Sequence, residues 1–192
     1  EGGMALTNNK KNFERMKMFM NHGITRDKKK LIKKNYGFWH YEQQLLGFNY
    51  RMNEISAALG LSQLKKLNFF VKKRNKLAKN YKNLLKNLPL KYQKIIKHNK
   101  SSYHLFIVML DLKKIKKNYN TIFNNLRKKG LYVNLHYSSI HLQPFYKRLG
   151  FKTGDYPVSE KYGKNALSLP IYYDLNESDQ KKIVKILTGV IS

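Results

Sequence analysis

The chain has 192 residues, of which 42% are hydrophobic and 13% aromatic. This length fits one domain or parts of two, and the apolar content excludes a wholly disordered chain. The absence of cysteine excludes disulfides and thiolate metal sites. No apolar run approaches the roughly 18 residues of a membrane helix, and the first residues do not resemble a secretion signal. These features together predict a cytoplasmic protein.

The charge balance is strongly basic, with 39 Lys and Arg residues against 11 Asp and Glu residues and a net charge of +28. Such a charge first suggests a nucleic-acid-binding protein. Only six of the cations are arginine, the residue that forks onto phosphate and guanine edges. The lysines lie in short clusters beside apolar periodic segments, as on solvated faces. The few arginines and the spread of the lysines thus argue against a nucleic-acid-binding protein, which we keep as an alternative function.

The first part of the chain alternates between helical and irregular patterns. Residues 4–7 predict a short strand, and residues 11–20 predict a helix that Asn21-His22-Gly23 ends. Residues 24–48 are irregular and rich in aromatic rings, which indicates a segment packed against another surface. From Asn53 onward the apolar spacing is again helical.

The apolar spacing predicts another helix at residues 68–88, which Pro89 ends. Because the chain then turns polar, a domain boundary is predicted after residue 88. Residues 1–88 would form one domain, and residues 89–192 a small α+β domain. Within the second domain, the pattern predicts strands at 103–110, 131–136 and 167–170, helices at 118–129, 144–149 and 158–166, and a last helix capped by Asn176.

Two groups of polar residues could carry chemistry. Asn49 and Arg51 precede a predicted helix N-terminus, where phosphate binds well, although a capped helix start with a surface arginine has the same pattern. His136 and Tyr137 end a predicted strand, which suits contact with a polar, phosphate-bearing ligand. His136 and His141 could also bind a metal, but no acidic or thiolate residue stands near them in the sequence, so no metal site is predicted.

A series of short segments, in one order from the first residue to the last helix, resembles the C-terminal half of the DegT/DnrJ/EryC1/StrS sugar aminotransferases. The segments are Glu1-Gly2-Gly3, residues 21–26, Trp39-His40-Tyr41-Glu42, residues 47–52, residues 57–64, His136-Tyr137, residues 143–146, residues 149–151, residues 154–157 and Leu167-Ser168-Leu169-Pro170. Within the family, residues 47–55 and 133–137 are most similar to the transaminases of pseudaminic acid biosynthesis.

The resemblance implies an α/β fold of the type I pyridoxal-phosphate transferases, namely the end of the large domain followed by a small α+β domain. It implies transfer of an amino group from L-glutamate to a UDP-linked 4-keto-6-deoxy-N-acetylhexosamine by a homodimer with shared active sites. The residues it assigns are Asn49 and Arg51 at the cofactor, His136, Tyr137, Tyr146 and His141 at the nucleotide sugar, and residues 36–48 at the dimer contact.

One departure from the family pattern concerns the lysine that carries the cofactor as a Schiff base. In the family it lies a few residues before Glu-Gly-Gly, and this sequence starts at Glu1. We therefore expect a C-terminal fragment without a catalytic residue of its own, unable to transaminate alone. Three alternatives stay open: a family member acting on another nucleotide sugar, a family dehydratase with histidine in place of that lysine, and an inactive partner subunit.

Overall fold

The computed structural model describes residues 3–33 and 37–192. Glu1 and Gly2 of the first family segment, and residue 36 at the start of the predicted dimer contact, lie outside the described residues. The chain divides into two compact units, Glu1–Lys66 (unit 1) and Leu67–Ser192 (unit 2).

Unit 1 contains two helices and a short antiparallel ladder among its described residues. These elements are α1 (Lys10–Met20), β1 (Ile24–Thr25), β2 (Glu42–Gln43) and α2 (Glu54–Leu64). Helix α1 confirms the predicted helix, and Asn9 caps it by accepting a hydrogen bond from the Asn12 N–H at 3.1 Å. Residues 4–7, predicted as a strand, are irregular. The β1–β2 pairing, with Ile24 opposite Gln43, lies in a segment predicted to be irregular.

Gly23 ends α1 at a point where the backbone passes very close to another segment. Its φ is +70°, and its N–H donates to the Met18 carbonyl at 2.7 Å. A Cβ atom there would lie 1.8 Å from the Leu45 carbonyl oxygen, so only glycine fits. The predicted helix end at residues 21–23 is confirmed.

Unit 2 is built on a three-stranded antiparallel sheet in the order β3-β4-β5. Its elements are α3 (Leu67–Leu84), β3 (Leu90–Tyr92), β4 (Phe106–Leu110), α4 (Leu112–Ile115), α5 (Tyr119–Lys128), a 3₁₀ helix (Ile140–Leu142), α6 (Pro144–Arg148), α7 (Pro157–Asn165), β5 (Ala166–Leu169) and α8 (Glu177–Ile191). Helix α8 contacts both α3 and α5, and the apolar residues between these helices and the sheet form the core.

Helix α3 belongs to unit 2, although the predicted boundary lay beyond it, after residue 88. Its residues Leu77, Ala78 and Tyr81 are fully buried in the core of that unit. The Tyr81 ring stacks on Phe106 at 4.9 Å, and its hydroxyl donates to the Pro170 carbonyl at 2.8 Å. This packing explains why the division between the compact units lies before α3.

Two predicted strands differ from the structure. The strand predicted at 103–110 begins only at Phe106, because Tyr103 adopts a left-handed backbone with φ +46°. The strand predicted at 131–136 is wrong: the segment makes a single β-bridge, between Asn134 and Ser168. Its backbone is held locally instead, since Arg127 donates to the Val133 carbonyl at 3.2 Å.

The helix predicted at 68–88 is confirmed as α3, but it ends at Leu84, four residues early. The other predicted helices of unit 2 and the strand predicted at 167–170 are confirmed to within about two residues. Asn118 and Asn176 cap α5 and α8, each accepting a hydrogen bond from a backbone N–H three residues later at 2.8 Å. Strand β3 falls in a stretch predicted to be polar and irregular. Across residues 3–33 and 37–192, the structure has no helix of the length and apolarity that crossing a membrane requires.

Candidate functional site

An open cavity of about 480 Å³ lies in unit 2, where the 3₁₀ helix, α6 and α7 meet. Its walls are formed by Tyr137, Ser138, Ile140, His141, Tyr146, Phe151, Tyr156, Ser159 and Tyr162. Three of the predicted substrate residues, Tyr137, His141 and Tyr146, are thus brought together at one cavity. Because most of the wall is aromatic and the rest offers hydroxyl and imidazole groups, the cavity suits a ligand with both ring faces and polar edges.

Tyr137 and Tyr146, the two wall tyrosines predicted from the sequence, differ in how they are held. Tyr137 is 71% exposed, with its ring edge-on to His136 at 4.9 Å. Tyr146 is 38% exposed and packs edge-on against Phe145 at 5.3 Å. Both phenols therefore present an accessible face and a hydroxyl, the two features that bind sugars and bases.

His136 comes directly before the wall residue Tyr137 in the sequence and is held by two hydrogen bonds. Its Nδ1 atom lies 2.8 Å from the Ser168 hydroxyl on β5, and its carbonyl oxygen accepts a hydrogen bond from the Tyr162 hydroxyl at 2.7 Å. Strand β5 therefore orients the half-buried imidazole, and helix α7 holds the backbone of the same residue. This bonding assigns Nδ1 to Ser168 and makes Nε2 the ring atom suited to a ligand.

His141 is a buried wall residue and is only 7% exposed. Its Nε2 lies 3.1 Å from Glu160 Oε1, and the Gly154 N–H donates to the same oxygen at 2.7 Å. The Gly154 N–H, together with the bond to His141, holds the pKa of the Glu160 carboxyl below its usual range. No three His, Cys, Asp or Glu residues cluster as metal ligands anywhere in the described part of the chain.

Asn49 and Arg51 belong to unit 1, where they lie on the exposed segment that leads into α2. Asn49 forms a β-bridge with Asn21, and the Arg51 guanidinium donates to the Asn21 side-chain oxygen. Asn53 caps α2 by accepting the Ser56 N–H at 2.8 Å. The predicted amide and guanidinium are thus side by side ahead of a helix N-terminus.

Gly47 explains how this segment reaches its position. A Cβ atom at residue 47 would lie 2.2 Å from the Gly23 nitrogen, so the chain passes α1 only because both residues are glycine. Next to it, Phe48 and Tyr50 stack at 4.9 Å. The sequence pattern alone does not indicate this role for Gly47, although the residue opens the Gly-Phe-Asn-Tyr-Arg segment.

Several residues that line the unit 2 cavity or hold the residues around it are not indicated by the sequence. They are Ser159, Glu160, Tyr162 and Ser168, which lie 20 or more residues from His136 and Tyr137 along the chain. Only the fold brings them to the cavity, to His136 or to His141. Tyr156 had a usable signal, since it lies in the Gly-Asp-Tyr-Pro segment already noted.

The family model of the DegT/DnrJ/EryC1/StrS aminotransferases matches residues 1–188. The chain therefore belongs to this family, whose members are α/β aminotransferases of the type I fold, as the sequence predicted.

Two curated relatives show how much of a family member this chain covers. The UDP-4-amino-4,6-dideoxy-N-acetyl-beta-L-altrosamine transaminase of Helicobacter pylori is 35% identical over 180 residues, which are 92% of this chain and 44% of that protein. An uncharacterized protein of Methanocaldococcus jannaschii is 34% identical over 194 residues, which are 100% of this chain and 50% of that protein. The chain thus spans about half the length of the curated relatives it matches.

A solved structure of an aminotransferase has the same fold over nearly the whole of this chain. Helicobacter pylori PseC, an aminotransferase involved in the biosynthesis of pseudoaminic acid, superposes with a TM-score of 0.82 at 30% identity. The match covers 96% of this chain and 47% of PseC.

Proposed function

We propose that this chain forms part of an aminotransferase that moves the amino group of L-glutamate to the C4 ketone of a UDP-linked 4-keto-6-deoxy-N-acetylhexosamine, in pseudaminic acid biosynthesis. The products are 2-oxoglutarate and the 4-amino sugar nucleotide. The observation that carries the proposal is the unit 2 cavity, because Tyr137 and Tyr146 and the neighbouring His136 converge there. Family membership and the names of the relatives support the reaction class.

The cavity's chemistry suits a nucleotide sugar better than a purely apolar ligand. Exposed phenol rings bind the apolar faces of pyranose and uracil rings, while their hydroxyls and those of Ser138 and Ser159 bind polar edges. Its wall contains no acidic side chain among the described residues, so a diphosphate would meet no carboxylate there. Held by Ser168, His136 would donate or accept one further hydrogen bond to such a ligand.

The residues of unit 1 fit the phosphate end of pyridoxal phosphate. An exposed amide at Asn49 and a guanidinium at Arg51 are the donors a phosphate dianion prefers, and they precede the N-terminus of α2. When bound, pyridoxal phosphate supplies an electron sink for proton removal at the amine-bearing carbon. We propose that Asn49 and Arg51 hold its phosphate, and that in a homodimer Asn49 serves the partner's cofactor.

The proposal is tested by titrating the native protein that carries this sequence with UDP-N-acetylglucosamine, by calorimetry. Tyr137→Ala should weaken binding at least tenfold, because it removes an exposed ring from the cavity wall. Tyr132→Ala is a matched control, since Tyr132 is also 71% exposed in unit 2 but lies outside the cavity wall. Equal effects of the two variants would contradict the proposed site. Binding that salt abolishes and neither variant affects would instead indicate non-specific attraction of anions to a chain of charge +28.

A further inference from the structure

We infer that Glu160 is a positioning residue of the nucleotide-sugar cavity, holding its walls in place without touching the ligand. The inference rests on the proposed function, because it assumes that the cavity binds the sugar nucleotide. Glu160 lies on α7 and is not among the residues that form the cavity surface.

The buried carboxylate of Glu160 joins three separate segments around the cavity. One oxygen, Oε1, accepts the Gly154 N–H at 2.7 Å from the loop after α6 and lies 3.1 Å from His141 Nε2 on the 3₁₀ helix. Both side chains of the His141–Glu160 pair are 8% exposed. Since one oxygen serves both donors, losing the carboxylate would release the two walls together.

Contacts beside this pair show that the walls are closely fitted. The His141 ring meets the Tyr156 ring at 4.9 Å, so the position of His141 also sets that of a cavity tyrosine. On α7, a Cβ atom at Gly163 would lie 3.2 Å from the Ser139 hydroxyl, which shows how closely the 3₁₀ segment approaches the helix. Gly154 itself has φ +99°, a backbone conformation that favours glycine.

The placement of the carboxylate also matters for charge. A carboxylate facing the cavity would repel a diphosphate, whereas Glu160 faces inward and its charge is satisfied by an N–H and an imidazole. The cavity surface is therefore left with hydroxyl, aromatic and imidazole groups and no carboxylate. Glu160 thus acts on the ligand through His141 and Gly154.

The test compares Glu160→Ala with Glu160→Gln in the native protein. Alanine removes the acceptor, whereas glutamine keeps an oxygen of similar position for the Gly154 N–H. Glu177→Ala is the matched control, because Glu177 is an exposed glutamate of the same unit, paired with Lys76 at 3.2 Å. Two readouts are made: hydrogen exchange of the Gly154 amide without ligand, and the KM values for nucleotide sugar and glutamate together with kcat.

We expect Glu160→Ala to accelerate Gly154 exchange at least tenfold and to raise the KM for the nucleotide sugar at least tenfold. The KM for glutamate and kcat should change less than threefold. In Glu160→Gln, Gly154 exchange and the KM for the nucleotide sugar should stay close to those of the unsubstituted protein. The inference is overturned if Gly154 exchange is unchanged, if all kinetic constants deteriorate together, or if glutamine is as harmful as alanine. Absence of amination by the unsubstituted protein would refute the proposed function instead, and Gly154 exchange would still decide whether Glu160 holds the walls.

Discussion

Replacing Arg74 by alanine should destabilise unit 2, because this one side chain holds three backbone carbonyls. Its NH1 atom donates to the carbonyl oxygens of Ile171 at 2.8 Å, Tyr103 at 3.1 Å and His104 at 3.2 Å. Two of these carbonyls precede β4 and the third follows β5. Arg74 therefore fixes the segments at one end of the sheet to helix α3.

The size of the effect follows from the hydrogen bonds lost. One nitrogen with two hydrogens serves three acceptors, so about two full bonds are removed. Each contributes about 0.5–1.5 kcal/mol net, and a carbonyl left buried without a partner costs about 1–3 kcal/mol. The partly buried surroundings of Arg74 lead us to expect a loss of about 2–4 kcal/mol in the free energy of unfolding. Arg74→Lys should lose less, because an ammonium can keep one of the bonds.

The assay is native-state hydrogen exchange at Phe106 and Leu169, which face each other across β4 and β5 and report on unit 2 alone. Lys79→Ala, at an exposed position of the same helix, is the control and should change the free energy by no more than about 0.5 kcal/mol. If Arg74→Ala and Lys79→Ala have equal effects, the three hydrogen bonds do not stabilise the unit and the reasoning is refuted.

Two further predictions concern a carboxylate of unit 1 and the core of unit 2. Backbone N–H groups of Ile32 and Lys33 donate to the Glu42 carboxylate and lower its pKa from 4.5 to about 2, so its stabilising effect is complete above pH 4.5 and lost as the pH falls to about 2. Trp39 fluorescence during acid titration should show this loss, and a Glu42→Gln variant with an unchanged acid transition would contradict it. Ile122→Ala should lower the free energy of unfolding by about 2–5 kcal/mol, because Ile122 is fully buried. Ile96→Ala, at a position 66% exposed, should lower it by about 0.5 kcal/mol or less. Similar urea midpoints for the two variants would disprove the assignment of Ile122 to the core.

Local sequence signals predicted the helices better than the strands. Helix α8 has an asparagine cap and regularly spaced apolar residues, both of which are local features. Residues 131–136 alternate like a strand, yet they make only one bridge, between Asn134 and Ser168 of β5. Conversely, β3 is three residues long and exists through its pairing with β4, which no local pattern encodes.

In the candidate site too, the sequence indicated some residues, whereas contacts between distant residues could not be predicted from it. His136 and Tyr137 are adjacent in the sequence, and family segments pointed to Tyr146 as well. The His141–Glu160 contact joins residues 19 positions apart through a loop, so neither spacing nor composition could indicate it. Gly47 and Gly23 likewise meet only through the fold of unit 1.

We propose that the native protein carrying this sequence aminates a UDP-linked 4-keto sugar. The most direct measurement supplies that protein with pyridoxal phosphate, L-glutamate and UDP-4-keto-6-deoxy-N-acetylhexosamine, and follows the 4-amino sugar nucleotide and 2-oxoglutarate by mass spectrometry. We expect both products in equal amounts, with at least a tenfold loss of kcat/KM in Asn49→Ala. Consumption of the sugar without 2-oxoglutarate would contradict transamination and indicate a dehydratase, and no reaction with any UDP-4-keto sugar would contradict the assigned substrate class.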